Sequence, residues 1–161
     1  MSQLERLYRL LIAAASSLQS LFLLLIRLAW GYQMHMAGDV KLHDVAKVTA
    51  RFTHLAIPLP AASAVFITLL EFAGGLLFAV GLGSRLIALL FVGDMTVAYI
   101  TVDRKALTTL FSDPHNFYHA APYTYLVAAL IVLIFGPGKF SLDALLTKRF
   151  AAGASSPKTR R

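Results

Sequence analysis

Apolar residues gather into four long runs, about 21–38, 61–82, 86–102 and 114–135, separated by polar, glycine-rich or proline-marked breaks. A helix crossing a hydrocarbon core about 30 Å thick needs roughly 20 apolar residues. The pattern therefore predicts four membrane-spanning helices. Between the first two, residues 39–58 place Val45, Val48, Phe52 and Leu55 at helical spacing with polar residues between them, which predicts an amphipathic helix on the outer membrane surface. Residues 1–20 carry Arg6 and Arg9 ahead of an apolar run, Leu10 to Ala15, that is too short for a secretory signal. They predict a second amphipathic helix, lying at the inner surface and leading into the first span.

The punctuation fits these elements. Pro58 and Pro60 open the second span, and a glycine turn near Gly83 joins the second to the third. Asp113-Pro114 reads as an N-cap and first-turn proline opening the fourth span, with a kink expected at Pro122. Gly136-Pro137-Gly138 ends it, and residues 151–161 read as a basic disordered tail.

Composition strengthens the membrane reading. The 161 residues are 58% hydrophobic and 14% charged, more apolar and less charged than a soluble domain. The expected fold is all-α, an integral-membrane four-helix bundle forming one domain over residues 1–150. The absence of cysteine removes disulfides, thiol relays, iron–sulfur clusters and thiolate zinc sites. The net charge of +7 has a topological distribution. Arg6, Arg9, Arg85, Lys139, Lys148, Arg149, Lys158, Arg160 and Arg161 flank one side of the spans, and Lys41, Lys47, Arg51, Arg104 and Lys105 the other. That excess places both termini in the cytoplasm, and the cations then serve topology and lipid contact, with no nucleic-acid partner expected.

Charged residues inside the spans are the first candidates for function. Glu71 lies twelve residues before Gly83 and Asp94 eleven after it, so both fall about 17 Å from the turn, near mid-depth. Counting eleven residues back from Gly38 puts Arg27 at a similar depth. One cation and two acids can lock a bundle as a buried ion pair. They can also handle protons or bind a ligand, because two close carboxylates rarely both ionise at low dielectric.

The outer side offers a second set. His115 and His119 share a helical face, and His35 tops the first span. Imidazoles can ligate metal or haem, or donate to a quinone carbonyl; ligand type favours the quinone, and no metal site is assigned. Tyr32, Gln33 and Tyr123 could line a flat pocket for its ring, although aromatic residues at span ends also form the interfacial belt.

Three separated stretches carry a family resemblance. They are Arg27, Gly31, Gly38 and Lys41 in the first span; Glu71, Gly74, Gly75, Gly81 and Arg85 around the glycine turn; and GPGKFSLDALL at 136–146. Together they resemble the DoxX family of membrane proteins over roughly residues 20–146. At one position the pattern departs, since Ala37 stands where the family often has a histidine. The resemblance implies a four-helix protein of the bacterial cytoplasmic (inner) membrane, linked in some members to quinone-coupled redox systems. On that basis the expected function is a small subunit of a quinone-linked system. Arg27, Glu71 and Asp94 would manage protons, and Tyr32, Gln33, His35, His115, His119 and Tyr123 would contact the ligand. The expected partners are lipid, a soluble or membrane oxidoreductase and further copies of the chain. The alternatives are a non-catalytic anchor or assembly factor for a partner enzyme, and a small carrier or channel.

Overall fold

The computed structural model describes residues 3–154, in which every regular element is helical. Helix α1 (Gln3–Leu42) is continuous over 40 residues, about 60 Å at 1.5 Å per residue. The separate surface helix expected over 1–20 is thus the first part of the spanning helix. Ser17, where the two stretches meet, does not end the helix: its hydroxyl donates to the Ala14 carbonyl at 2.7 Å. Helix α2 (Val45–His54) starts on Asp44, whose carboxylate accepts from the Lys47 amide at 2.9 Å.

Helix α3 (Pro60–Val80) contains a π-helical turn over Leu70–Gly74, and a glycine turn leads into α4 (Ser84–Thr101). Short helices α5 (Arg104–Thr108) and α6 (Pro114–His119) lie in the stretch expected as an outer loop and at the start of the fourth run. The expected kink is a full break. Pro122 has no N–H for the Tyr118 carbonyl and its ring would crowd that carbonyl, so the helix ends at Ala120 in extended conformation and restarts as α7 (Pro122–Phe135). Helix α8 (Leu142–Ala154) continues into the segment expected as a tail, and residues 155–161 of that tail lie outside the described residues.

Helices α1, α3 and α4 are long and apolar enough to cross a membrane, and α7 is a shorter apolar helix of 14 residues. The core, with Met34, Phe78, Phe91 and Val132, lies where these four meet, and Phe78 packs edge-on against Phe91 at 5.6 Å. Large apolar side chains such as Leu25, Phe66, Leu89 and Ile134 face outward, a surface suited to lipid.

Helices α1 and α3 approach backbone to backbone. A Cβ on Gly31 would lie 2.7 Å from the Gly75 carbonyl oxygen, and one on Gly75 would lie 2.5 Å from the His35 amide nitrogen. One on Gly38 would run into the backbone of Glu71 and Phe72. These glycines set the register that builds the site.

Candidate functional site

The π turn puts Glu71 and Phe72 opposite the last turns of α1. The Phe72 carbonyl accepts a hydrogen bond from His35 Nδ1 at 2.8 Å, and the two rings pack with centroids 4.5 Å apart. Three residues beyond Gly38, on the same helical face, Lys41 reaches Glu71 and its ammonium pairs with both carboxylate oxygens. Glu71 is buried at 4% exposure, whereas the Lys41 side chain is 32% exposed, so the pair is shielded from water on its glutamate side.

Glu71 and Asp94 line one cavity of about 730 Å³ between α1, α3, α4 and the start of α7, beneath α2. Lys41, Lys47, Arg51 and Tyr125 add polar groups to it, and Phe52, Ile67 and Met95 add apolar wall. Asp94 Oδ2 is buried and, among the described residues, has no hydrogen-bond partner. An unpartnered carboxylate oxygen facing a cavity beside an ion pair can accept a proton or a donor from a ligand.

Arg27 lies elsewhere. It is completely buried at the glycine-turn end, donating to the Phe140 carbonyl and, at 3.4 Å, to the Ala79 carbonyl. The count from Gly38 placed it level with the acids, but α1 runs on to Leu42, and Gly38 itself packs at the level of Glu71. Arg27 is therefore about 16 Å farther along the helix from that level.

The other expected contacts are dispersed. Tyr32 is exposed, and Gln33 accepts from the Tyr125 hydroxyl at 3.2 Å, so it holds a cavity-lining residue without lining the cavity itself. His35 is committed to Phe72. His115 and His119 stack on each other at 3.8 Å on exposed α6, with His119 Nδ1 3.0 Å from the His115 carbonyl. Tyr123 packs edge-on against Phe117 and Tyr118. No group of three metal-ligating side chains occurs among the described residues.

The glycine-turn end is closed by a clamp. Asp143 accepts from the Gly83 and Ser84 amides at 2.8 and 2.9 Å, capping α4 from another helix, and its own amide donates to the Gly81 carbonyl at 2.9 Å. Gly81 takes a left-handed φ of 77° and leaves room for the Arg27 guanidinium. Burial pushes the Asp143 carboxyl up, but the Ser84 and Gly83 amides and the nearby Arg27 charge outweigh it and hold the group below its ordinary range. A depressed carboxyl adds stability above its unfolded pKa of about 3.9, and that stability is lost as pH falls through the lower folded value. Asp143→Ala is expected to cost about 0.5–2 kcal/mol near neutral pH and to flatten the acid limb of stability against pH, as thermal unfolding across pH will show.

All of this cavity except the part contributed by the start of α7 comes from a stretch that a family model recognises: the model described as DoxX matches residues 22–104, more than half of the chain. The chain belongs to the DoxX family. No curated protein and no solved structure matches it. In this DoxX protein the residues that carried the resemblance separate into two groups. Gly31, Gly38, Lys41, Glu71 and Gly75 build the helix crossing and its ion pair, whereas Arg27, Gly81 and Asp143 build the clamp.

Lys41 and Tyr125 are two of the site residues that depth counting passed over, together with Lys47 and Arg51 of α2. Lys41 could have been found from its place one turn after Gly38, whereas Tyr125 carries no such signal, because the break at Ala120 sets the rotation of α7.

Proposed function

We propose that this DoxX protein is a four-span subunit of a quinone-linked redox system in the bacterial cytoplasmic membrane. Both termini face the cytoplasm, and the quinone head group enters the cavity over Glu71 and Asp94. The observation that carries this reading is the cavity itself, which holds the Lys41–Glu71 pair and the unpartnered Asp94 oxygen together. Its volume falls in the range of small-molecule sites, roughly 300–1,000 Å³.

The residues fit such a head group. Phe52, Ile67 and Met95 offer a surface for a flat ring. The Lys41 ammonium has three donors and directs two at Glu71, which leaves one for a carbonyl oxygen. A bound quinone supplies a two-electron, two-proton couple, its electrons exchanged with the redox centre of a partner oxidoreductase. Asp94 would exchange one proton through its free oxygen and Glu71 the other, its carboxylate held in place by Lys41. Asp44 and Asp103 line the same cavity and offer further carboxylates for proton exchange.

In membranes assayed for quinone-linked turnover, Glu71→Gln and Asp94→Asn should each slow the reaction about 100-fold, the usual scale of a lost acid or base. Full turnover in both variants would remove the proton role and favour the non-catalytic anchor.

A further inference from the structure

The cavity over Glu71 and Asp94 has a side opening. Ala37 and Val40 line it from α1, and Pro122 and Tyr125 line it from α7. Val40 is 70% exposed, which the wall of an enclosed cavity would not be, so here the lining is also outer surface. Packing gives the depth of this opening. Gly38 packs against Glu71 and Phe72, near the middle of the 21-residue α3, so Ala37 and Val40 stand at mid-span and not at an aqueous end. An opening at that level faces hydrocarbon.

One hydrogen bond closes the seam beside it. Gln33, one turn before Ala37 on the same face of α1, accepts from the Tyr125 hydroxyl of α7 at 3.2 Å. Tyr125 lines the cavity, whereas Gln33 is exposed and outside it. The bond therefore runs through the wall, from the cavity side to the lipid side, and gives two polar groups at that surface a partner.

This seam is also the one built to part. Glycines lock α1 onto α3, and α1 meets α7 more sparsely than α4 does. The break at Ala120 separates the start of α7 from α6. A single neutral hydrogen bond between helices in lipid adds little to hold the two together. Ala37, Val40 and Pro122 offer the opening an apolar rim, with Glu71 and the unpartnered Asp94 oxygen inward of it.

We infer that the α1–α7 seam is a lateral portal, through which a ligand with a long aliphatic tail enters the cavity from the bilayer, and that the Tyr125–Gln33 hydrogen bond is its latch. The inference rests on the quinone reading and narrows it. The ligand is a lipid-soluble quinone whose ring sits over Glu71 and Asp94, while its tail leaves across Ala37 and Val40 into lipid.

The cysteine-free sequence makes the test direct. Gln33→Cys and Tyr125→Cys are combined in the full chain, and the two thiols are bridged by a short reagent that reductant cleaves. In quinone-free vesicles given a long-tailed quinone, the bridge should slow loading of the protein several-fold, and reductant should restore it in the same sample. Gln33→Leu, at an exposed position, should speed both loading and release several-fold, whereas loss of an ordinary binding contact would speed release alone. Loading that neither the bridge nor Gln33→Leu alters would overturn the portal and leave the quinone reading standing. A tail-less quinone that fills the protein as fully, at equal concentration in the bilayer, would overturn the place given to the tail. Protein that takes up neither quinone, bridged or open, would overturn the quinone reading and the portal together.

Discussion

Lys41→Met should destabilise the protein by about 3–5 kcal/mol, the usual cost of removing one partner from a buried ion pair. The reason is local. Glu71 is almost fully buried, and Lys41 is its ion-pair partner, so the single substitution strands a carboxylate. Lys41→Met combined with Glu71→Leu should recover most of the loss, because the double variant removes both charges together. Equilibrium unfolding in mixed micelles reads both values. If Lys41→Met lay within about 0.5 kcal/mol of the unsubstituted protein, the change expected at an ordinary surface site, the pair would not be the buried element described here. The double variant should still lack quinone-linked turnover, which separates the loss of the ion pair's chemistry from a failure to fold.

The second large effect belongs to the glycines. Gly38→Ala drives a methyl group into the backbone of Glu71 and Phe72, and Gly75→Ala drives one into α1 near His35. Backbone cannot swing aside as a flexible side chain can, so each should cost about 1–3 kcal/mol, the range for overpacking. Both should also move Lys41 away from Glu71 by parting α1 from α3. Gly93 is the internal control. It lies mid-helix in α4, and a Cβ there meets nothing within 4 Å. Gly93→Ala should therefore stabilise by about 0.5–1 kcal/mol, the difference in helix propensity. Opposite signs at Gly38 and Gly93 would show that the α1–α3 crossing, and not glycine content, sets the stability.

Much of the architecture was legible in the hydrophobic pattern because that pattern is a direct record of burial and lipid contact. The α2 helix could be read from Val45, Val48 and Phe52, although its ends lie inside the 39–58 stretch. The glycine turn could be read from the spacing around Gly81 and Gly83, both of which adopt left-handed backbone angles. Three features were hidden. The continuity of α1 was masked by Arg6, Arg9 and the short run from Leu10 to Ala15, which read as a surface helix, whereas Ser17 bonds within the helix and does not end it. The π turn at Leu70–Gly74 leaves no mark in periodicity, because the residues on both sides of it are apolar nearly all round and present no face to shift. The placement of Arg27 failed for a geometric reason: depth was counted from an assumed helix end at Gly38, when the helix runs to Leu42 and the guanidinium sits in the clamp with Ala79 and Phe140.

The site was legible only in its acids. Mid-span carboxylates stand out in any apolar run, so Glu71 and Asp94 were found, and they line one cavity. Their polar neighbours were not, since Lys41, Lys47, Arg51 and Tyr125 come from a helix end, a surface helix and the far side of a chain break. Their meeting depends on how the helices pack, which a one-dimensional pattern does not encode. The histidines misled in the opposite sense. His35 has the right chemistry for a ligand contact, but it is used to dock α1 onto the Phe72 carbonyl.

On the proposed function, the cavity over Glu71 and Asp94 holds a quinone. The most direct measurement is quinone content by solvent extraction of protein purified gently from its native membrane, alongside Asp94→Asn and Glu71→Gln prepared in the same way. The expected result is stoichiometric quinone in the unsubstituted protein and clear depletion in both variants, with all three folded. Protein that is folded, empty after purification and still empty after incubation with excess quinone would contradict it.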